Sequence, residues 1–280
     1  LLKKFFDFFV FTSLFIACCA VLMMYQAFLL FGIQFPLSLY AFVFFGSVCS
    51  YNFHWYLTPP DIPGHSKKQQ WNLANRPLHL VLFLVGLVGA AVCCSLLIEH
   101  WFWLGVTAFL TFLYSAPLIP LPPFRWLRKI ALAKTIYLAF AWAHITASLP
   151  LLVVQDGLGE GHGWYLVNRF FFIYAICIVF DRRDVESDRK AGIRSLITLM
   201  DEKGVDRLFW FSQLVVLATT VVLTRWLPVA EACLLLLPAF IMGLLYKASK
   251  KNHSDYLYYF LLDGLMALSA SCLILLRFAR

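Results

Sequence analysis

Three carboxylates at helical spacing, Asp181, Asp184 and Asp188, stand in the densest polar stretch of the chain, Asp181-Arg182-Arg183-Asp184-Val185-Glu186-Ser187-Asp188-Arg189-Lys190-Ala191-Gly192-Ile193-Arg194-Ser195-Leu196. On a helix, Asp184 lies about 60° and Asp188 about 20° from Asp181, so all three share one face and Glu186 points elsewhere. Carboxylates crowded on one face repel one another unless a cation neutralises them. Oxygen-only ligation with phosphate as co-ligand suits magnesium. Arg189, Lys190 and Arg194 add donors matched to phosphate oxygens. The chemistry open to this set is therefore metal-assisted handling of a phosphorylated ligand. The same residues also read as a solvated charge run in which acids and bases pair, and the pattern alone leaves both readings open.

The elements that must position these residues are membrane helices. Of 280 residues, 62% are hydrophobic and 14% charged, and the mean hydropathy is +0.79, which excludes an ordinary soluble domain. Apolar runs longer than twenty residues exclude an outer-membrane barrel, which alternates apolar and polar positions. Taking roughly 20 residues per crossing, Pro, Gly and charge divide the chain into nine spans: 8–31, 36–57, 78–98, 101–118, 131–154, 164–181, 206–226, 228–246 and 257–278. The fold class is all-α and polytopic. The apolar run after Lys3 and Lys4 continues to about Ile33, too long for a signal peptide, and reads as a first membrane helix.

The charge of +8 lies mostly on one face, since the inner segments carry 19 of the 23 Lys and Arg if the amino terminus is inside. That asymmetry places the amino terminus and the loops 58–77, 119–130 and 182–205 in the cytoplasm and the carboxyl terminus opposite. It accounts for the basic balance without a nucleic-acid partner. The eight cysteines all lie in apolar stretches with no CxxC pair, so they read as small buried hydrophobes and not as a disulfide or zinc framework.

The stretch Asp181 to Leu196 closely resembles the second aspartate-rich motif of the UbiA-type intramembrane prenyltransferase superfamily, down to the trailing Asp-Arg-Lys-Ala-Gly. Leu113-Tyr114-Ser115-Ala116-Pro117-Leu118 is similar to the family's YS-x-PLK stretch, and Asn75-Arg76-Pro77-Leu78 to its NRP-L stretch. The resemblance covers nearly the whole chain, so residues 1–280 are expected to form one UbiA-like domain. It implies transfer of an isoprenoid group from an allylic diphosphate to a lipid-soluble or aromatic acceptor reached from the membrane lipids, with Mg2+ held by Asp181, Asp184 and Asp188. Tyr114, at the matched position, is expected to hydrogen-bond a phosphate. Arg76, Arg125, Arg128, Lys129 and Lys134 sit where diphosphate oxygens could be met, and each reads equally as a positive-inside anchor. Aromatic residues, 18% of the chain, offer π faces to a carbocation, although most are packing residues. His144 and Asp263 lie within spans, where ionisable groups are costly, and are expected to hydrogen-bond between helices.

The first motif of the family, NDxxDxxxD, falls on Tyr51-Asn52-Phe53-His54-Trp55-Tyr56-Leu57-Thr58-Pro59-Pro60-Asp61. Asn52 is kept and is carried over as a substrate-binding residue. Phe53, Tyr56 and Pro60 occupy the aspartate positions, so half of the implied magnesium site is missing. Asn52, His54 or Asp61 could substitute as ligands, against a bland reading of His54 as interfacial packing. Two further functions therefore stay open: a catalytically impaired homologue that binds isoprenoid diphosphates, and a terpene cyclase in which the cation closes internally. A transporter fits less well, because the carboxylates gather at one rim and not at the bilayer midplane.

Overall fold

The computed structural model describes residues 1–59, 66–119, 134–154, 158–190 and 195–279, and the described residues outside turns and loops are helical. The helices are α1 (Leu2–Phe11), α2 (Leu14–Phe31), α3 (Leu37–Leu57), α4 (Lys67–Ala74), α5 (Arg76–Leu96) and α6 (Trp101–Ser115). They continue with α7 (Lys134–Val154), α8 (His162–Lys190), α9 (Leu196–Leu199), α10 (Glu202–Leu223), α11 (Val229–Ser249) and α12 (Leu257–Phe278). Among the described residues, eight helices are long and apolar enough to cross a membrane. The remaining expected span is α3, which has the length for a crossing at 21 residues. Its Ser, Tyr, Asn and His residues keep it out of the apolar class. Exposed Val81, Leu84, Val88, Phe240 and Leu244 give the bundle an apolar outer surface, the surface a bilayer covers.

The expected first span, 8–31, is two helices. The chain breaks at Thr12–Ser13, where Ser13 takes a left-handed conformation with φ of 65°, a costly one for a residue with a Cβ. The Thr12 carbonyl freed by the break accepts a hydrogen bond from Asn52 Nδ2 at 3.1 Å. Asn52 Nδ2 also donates to Val48 O at 2.8 Å, and its Oδ1 pairs with His79 Nδ1 at 2.7 Å. One buried asparagine thus joins α3 to the break before α2 and to α5. Helices α3 and α5 approach closely because α5 carries Gly86, where a Cβ would stand 2.6 Å from the Cys49 backbone nitrogen. Small residues at such a crossing let backbones meet in a membrane.

Helix α8 organises the interior. Its 29 residues extend about 43 Å at 1.5 Å per residue, longer than the roughly 30 Å hydrocarbon core. Its final turns therefore project past the apolar zone and carry the aspartates to the rim. At the other end lies Arg169, fully buried, with Nε donating to Asn168 Oδ1 at 3.1 Å and Nη1 to Gln26 Oε1 at 3.2 Å. Gln26 in turn donates to Ser269 Oγ, and Asn168 to Thr219, Thr220 and Val216 on α10. This network ties α2, α8, α10 and α12 together and fixes the rotation of α8, hence the direction its aspartates face. His144, in a π-helical turn of α7, pairs with Thr107 of α6 at 3.1 Å, the interhelical bond expected of it.

Candidate functional site

Two of the three aspartates turn inward at the end of α8 onto the start of α7. Asp181 and Asp188 are buried, and Lys134 Nζ lies 3.7 Å from Asp181 Oδ1 and 3.3 Å from Asp188 Oδ2. Thr135 Oγ1 donates to Asp181 Oδ2. Burial pushes the Asp188 carboxyl above the ordinary carboxylate value, while the Lys134 ammonium pulls it back. Asp184 is more open and accepts from its neighbour Arg183, Nε to Oδ1 at 2.7 Å. Among the described residues no three His, Cys, Asp or Glu side chains converge closely enough to hold a metal ion. The donor chemistry is that of a hard divalent cation, all oxygen, with two carboxylates closed on the positive charge of Lys134 and Asp184 set apart from them.

Arg183 lies beside this set. Its Nη2 donates to Tyr259 OH at 2.9 Å, and its guanidinium stands 4.4 Å from the ring centre of Tyr258 and 5.0 Å from that of Tyr259. Across the same rim, Lys68 of α4 is buried, with Nζ 3.8 Å from the Tyr259 ring centre and 5.1 Å from that of Trp55. Asp255 Oδ2 accepts from the Lys68 backbone N–H at 2.8 Å and so docks α4 onto the start of α12. Asp263, deeper on α12, feels the charges of Lys68 and Arg183. Among the described residues the interhelical hydrogen bond expected of Asp263 does not form.

Below the rim lies an apolar cavity of about 380 Å³ between α3, α5, α6 and α7, with Phe53, Phe83, Tyr51, Trp142 and Tyr114 in its wall. Phe53 stacks on Phe83, ring centres 5.0 Å apart. The aromatic at the first aspartate position is therefore part of the cavity lining. Tyr114 stacks on His54 at 4.9 Å, and its hydroxyl is within electrostatic reach of Lys134 and Asp181.

The remaining sequence candidates separate into three groups. Asp181, Asp188, Lys134 and Tyr114 are brought together. Asn52 is placed as a buried structural tie, Arg76 donates through Nε to Tyr56 O at 3.0 Å, and Arg189 donates to the Thr198 carbonyl at 3.0 and 3.3 Å, bracing α9 against α8. Asp61, Arg125, Arg128, Lys129 and Arg194, with the side chain of Lys190, lie outside the described residues. Sequence reasoning overlooked Lys68 and Arg183 as cations packed on aromatic rings at the rim and Arg169 as a buried charge. Arg169 carried a usable signal, an arginine inside an apolar run. Lys68 carried none, being one of two adjacent lysines in what reads as a loop.

The comparisons with curated proteins and with solved structures gave no match. The model of the UbiA prenyltransferase family matches residues 72–263, a segment that holds Arg76, Tyr114, Lys134 and the whole aspartate set and begins after the aromatic stretch at 51–57. A match over more than half the chain, joined to a helical bundle whose carboxylates and cations meet at one rim above an aromatic cavity, means that the chain belongs to the UbiA prenyltransferase family.

Proposed function

We propose that the protein transfers an isoprenoid group from an allylic diphosphate to a membrane-accessible, lipid-soluble or aromatic acceptor at the rim formed by α7 and α8. One observation carries this reading: Tyr114 belongs both to the wall of the apolar cavity and to the electrostatic surroundings of Lys134 and Asp181. The charged and apolar halves of an isoprenoid diphosphate need such a junction. Lys134 would bind diphosphate oxygens, and the Tyr114 hydroxyl would donate to one of them. The allylic C–O bond breaks with its electron pair leaving on the diphosphate, the acceptor's nucleophile bonds to the allylic carbon, and the acceptor's proton is lost. Tyr51, Phe53 and Trp142 present π faces that steady the allylic cation, and the apolar wall keeps water from it. Magnesium held by Asp181, Asp184 and Asp188 would offset the charge developing on the leaving diphosphate.

A second reading is favoured by a specific feature. Phe53 is packed on Phe83, and Asp181 and Asp188 are closed on Lys134, which suits a homologue that binds the diphosphate and turns it over slowly or not at all. The deciding experiment incubates the reconstituted protein with allylic diphosphates of several lengths, with and without Mg2+, and analyses released diphosphate and extracted lipids. Metal-dependent release with a new prenylated lipid supports transfer. Release with only a cyclised product assigns a cyclase, and binding without release assigns the impaired homologue. Absence of binding under every condition refutes all three.

A further inference from the structure

Among the described residues of the first-motif stretch, Asn52, Phe53 and Tyr56 carry no carboxylate, and a buried cation stands near them. Phe53 is committed to Phe83, Tyr56 lies beneath the Arg76 guanidinium at 5.1 Å, and Asn52 has its polar atoms engaged by Thr12, Val48 and His79. None of these three offers a negative charge for a metal ion. In their neighbourhood stands Lys68, 4% exposed, its ammonium caged by Tyr259 and Trp55. Among the described residues, its ammonium forms no ion pair with a carboxylate.

A further observation concerns Arg183, which is paired with Asp184 and keeps one unused donor. Arg183 shares the Tyr259 ring with Lys68, and its Nη1 is buried with no hydrogen-bond partner among the described residues. Aromatic faces compensate a buried ammonium only in part. Burial, with Arg183 adding to it, pulls Lys68 down to about 8, while Asp263 and Asp255 hold it up, so the ammonium keeps its charge at neutral pH. A buried ammonium without an ion pair among the described residues, beside a guanidinium N–H without a hydrogen-bond partner there, offers donors to an anion.

We propose that Lys68, with Arg183 beside it, is a diphosphate-binding residue that supplies, as a fixed ammonium, the positive charge on the side of the site where the first-motif carboxylates are missing. The inference rests on the reading of the rim as a diphosphate site and assigns the source of charge within it. It requires a component of diphosphate affinity that survives removal of metal.

The test uses the full chain in nanodiscs with inorganic pyrophosphate as probe, titrated calorimetrically in EDTA and again in excess Mg2+, for wild type, Lys68→Met and Lys68→Arg. Wild type is expected to bind in EDTA, Lys68→Met to lose roughly thirtyfold or more of that affinity, and Lys68→Arg to retain most of it. Melting curves identify a variant that fails to fold. If Lys68→Met fails, Lys68→Arg and Lys68→Gln decide: metal-free binding kept by the first and lost by a folded second supports the proposal, and equal binding by both overturns it. Wild type that binds only with Mg2+, or Lys68→Met that binds as wild type does, overturns the role of Lys68 and leaves the diphosphate reading standing. Wild type that binds in neither condition overturns both.

Discussion

Replacing Lys134 by Met tests whether the inner aspartates are built around a cation. The substitution keeps the length and apolar stem of the side chain while removing the charge that lies 3.3 Å from Asp188 and 3.7 Å from Asp181. At an effective dielectric of about 20, a pair of unit charges at such distances attracts by roughly 5 kcal/mol before desolvation. Desolvation takes back much of this, and breaking a fully buried pair from one side costs about 3–5 kcal/mol. Lys134 is 31% exposed and the aspartate side chains 10%, so the expected cost falls below that range, at about 2 kcal/mol. In a chain of this size that lowers the melting temperature by about 4–6 °C. The two carboxylates, left without a counter-charge, then favour a divalent cation. At free Mg2+ a hundredfold above its dissociation constant, binding returns about 2.7 kcal/mol. Thermal unfolding in detergent, followed through the nine tryptophans, should therefore show Lys134→Met less stable than wild type in EDTA and stabilised more than wild type by Mg2+. In wild type the ion must first displace the ammonium. An equal magnesium shift in the two proteins, or a variant no less stable in EDTA, would refute the reasoning that Lys134 occupies a cation site.

Two other expectations follow from the placement of residues at the inner rim. Asn52→Ala removes hydrogen bonds to Thr12, Val48 and His79 and should cost about 2–4 kcal/mol of stability while leaving pyrophosphate affinity near wild type; loss of affinity with an unchanged melting curve would make Asn52 a ligand instead. Single cysteines introduced at exposed Lys67, Glu186 and Lys203 should react with a membrane-impermeant reagent from one side and one at Glu99 from the other, with the first three cytoplasmic; a split among the first three would separate the elements of the site across the bilayer.

What the sequence made legible follows from the range of the physics involved. A membrane crossing is a local property of about twenty residues, so the spans after residue 78 agree with the helices to within a few positions, except that the helix expected over 164–181 runs on to Lys190 through its charged end. The face shared by Asp181 and Asp188 is local as well, whereas Asp184, expected beside them, is more open and pairs with Arg183. The break at Thr12–Ser13 was not legible, because neither Gly nor Pro marks it and it is held by Asn52, forty residues away. The pairing of Lys134 with Asp188 spans 54 residues, and nothing in either neighbourhood encodes it. The motif resemblance drew attention to Asn52 but could not reveal its commitments, since a carboxamide that binds a ligand and one that ties two helices look alike in sequence. Lys68 became visible only through the docking of α4 by Asp255, which depends on a contact 187 residues long.

The aromatic replacement at the first motif and the cations at the rim belong to one argument. A carboxylate at Phe53 would face Phe83 in the wall of an apolar cavity and would need a metal ion to be tolerated there. With Phe at that position the cavity wall there is aromatic, and on the proposed reading the charge that meets a diphosphate on that side comes from the fixed side chain of Lys68. A fixed ammonium differs from a divalent ion in two respects. It is present without metal, so binding loses less when metal is withdrawn, and it carries one unit of charge, so it stabilises the departing diphosphate less. Every 1.4 kcal/mol lost from that stabilisation slows ionisation tenfold. On the proposed reading, a site with Lys68 on one side and Asp181 and Asp188 on the other holds an isoprenoid diphosphate and releases its cation slowly, which favours acceptors that react readily once the cation forms.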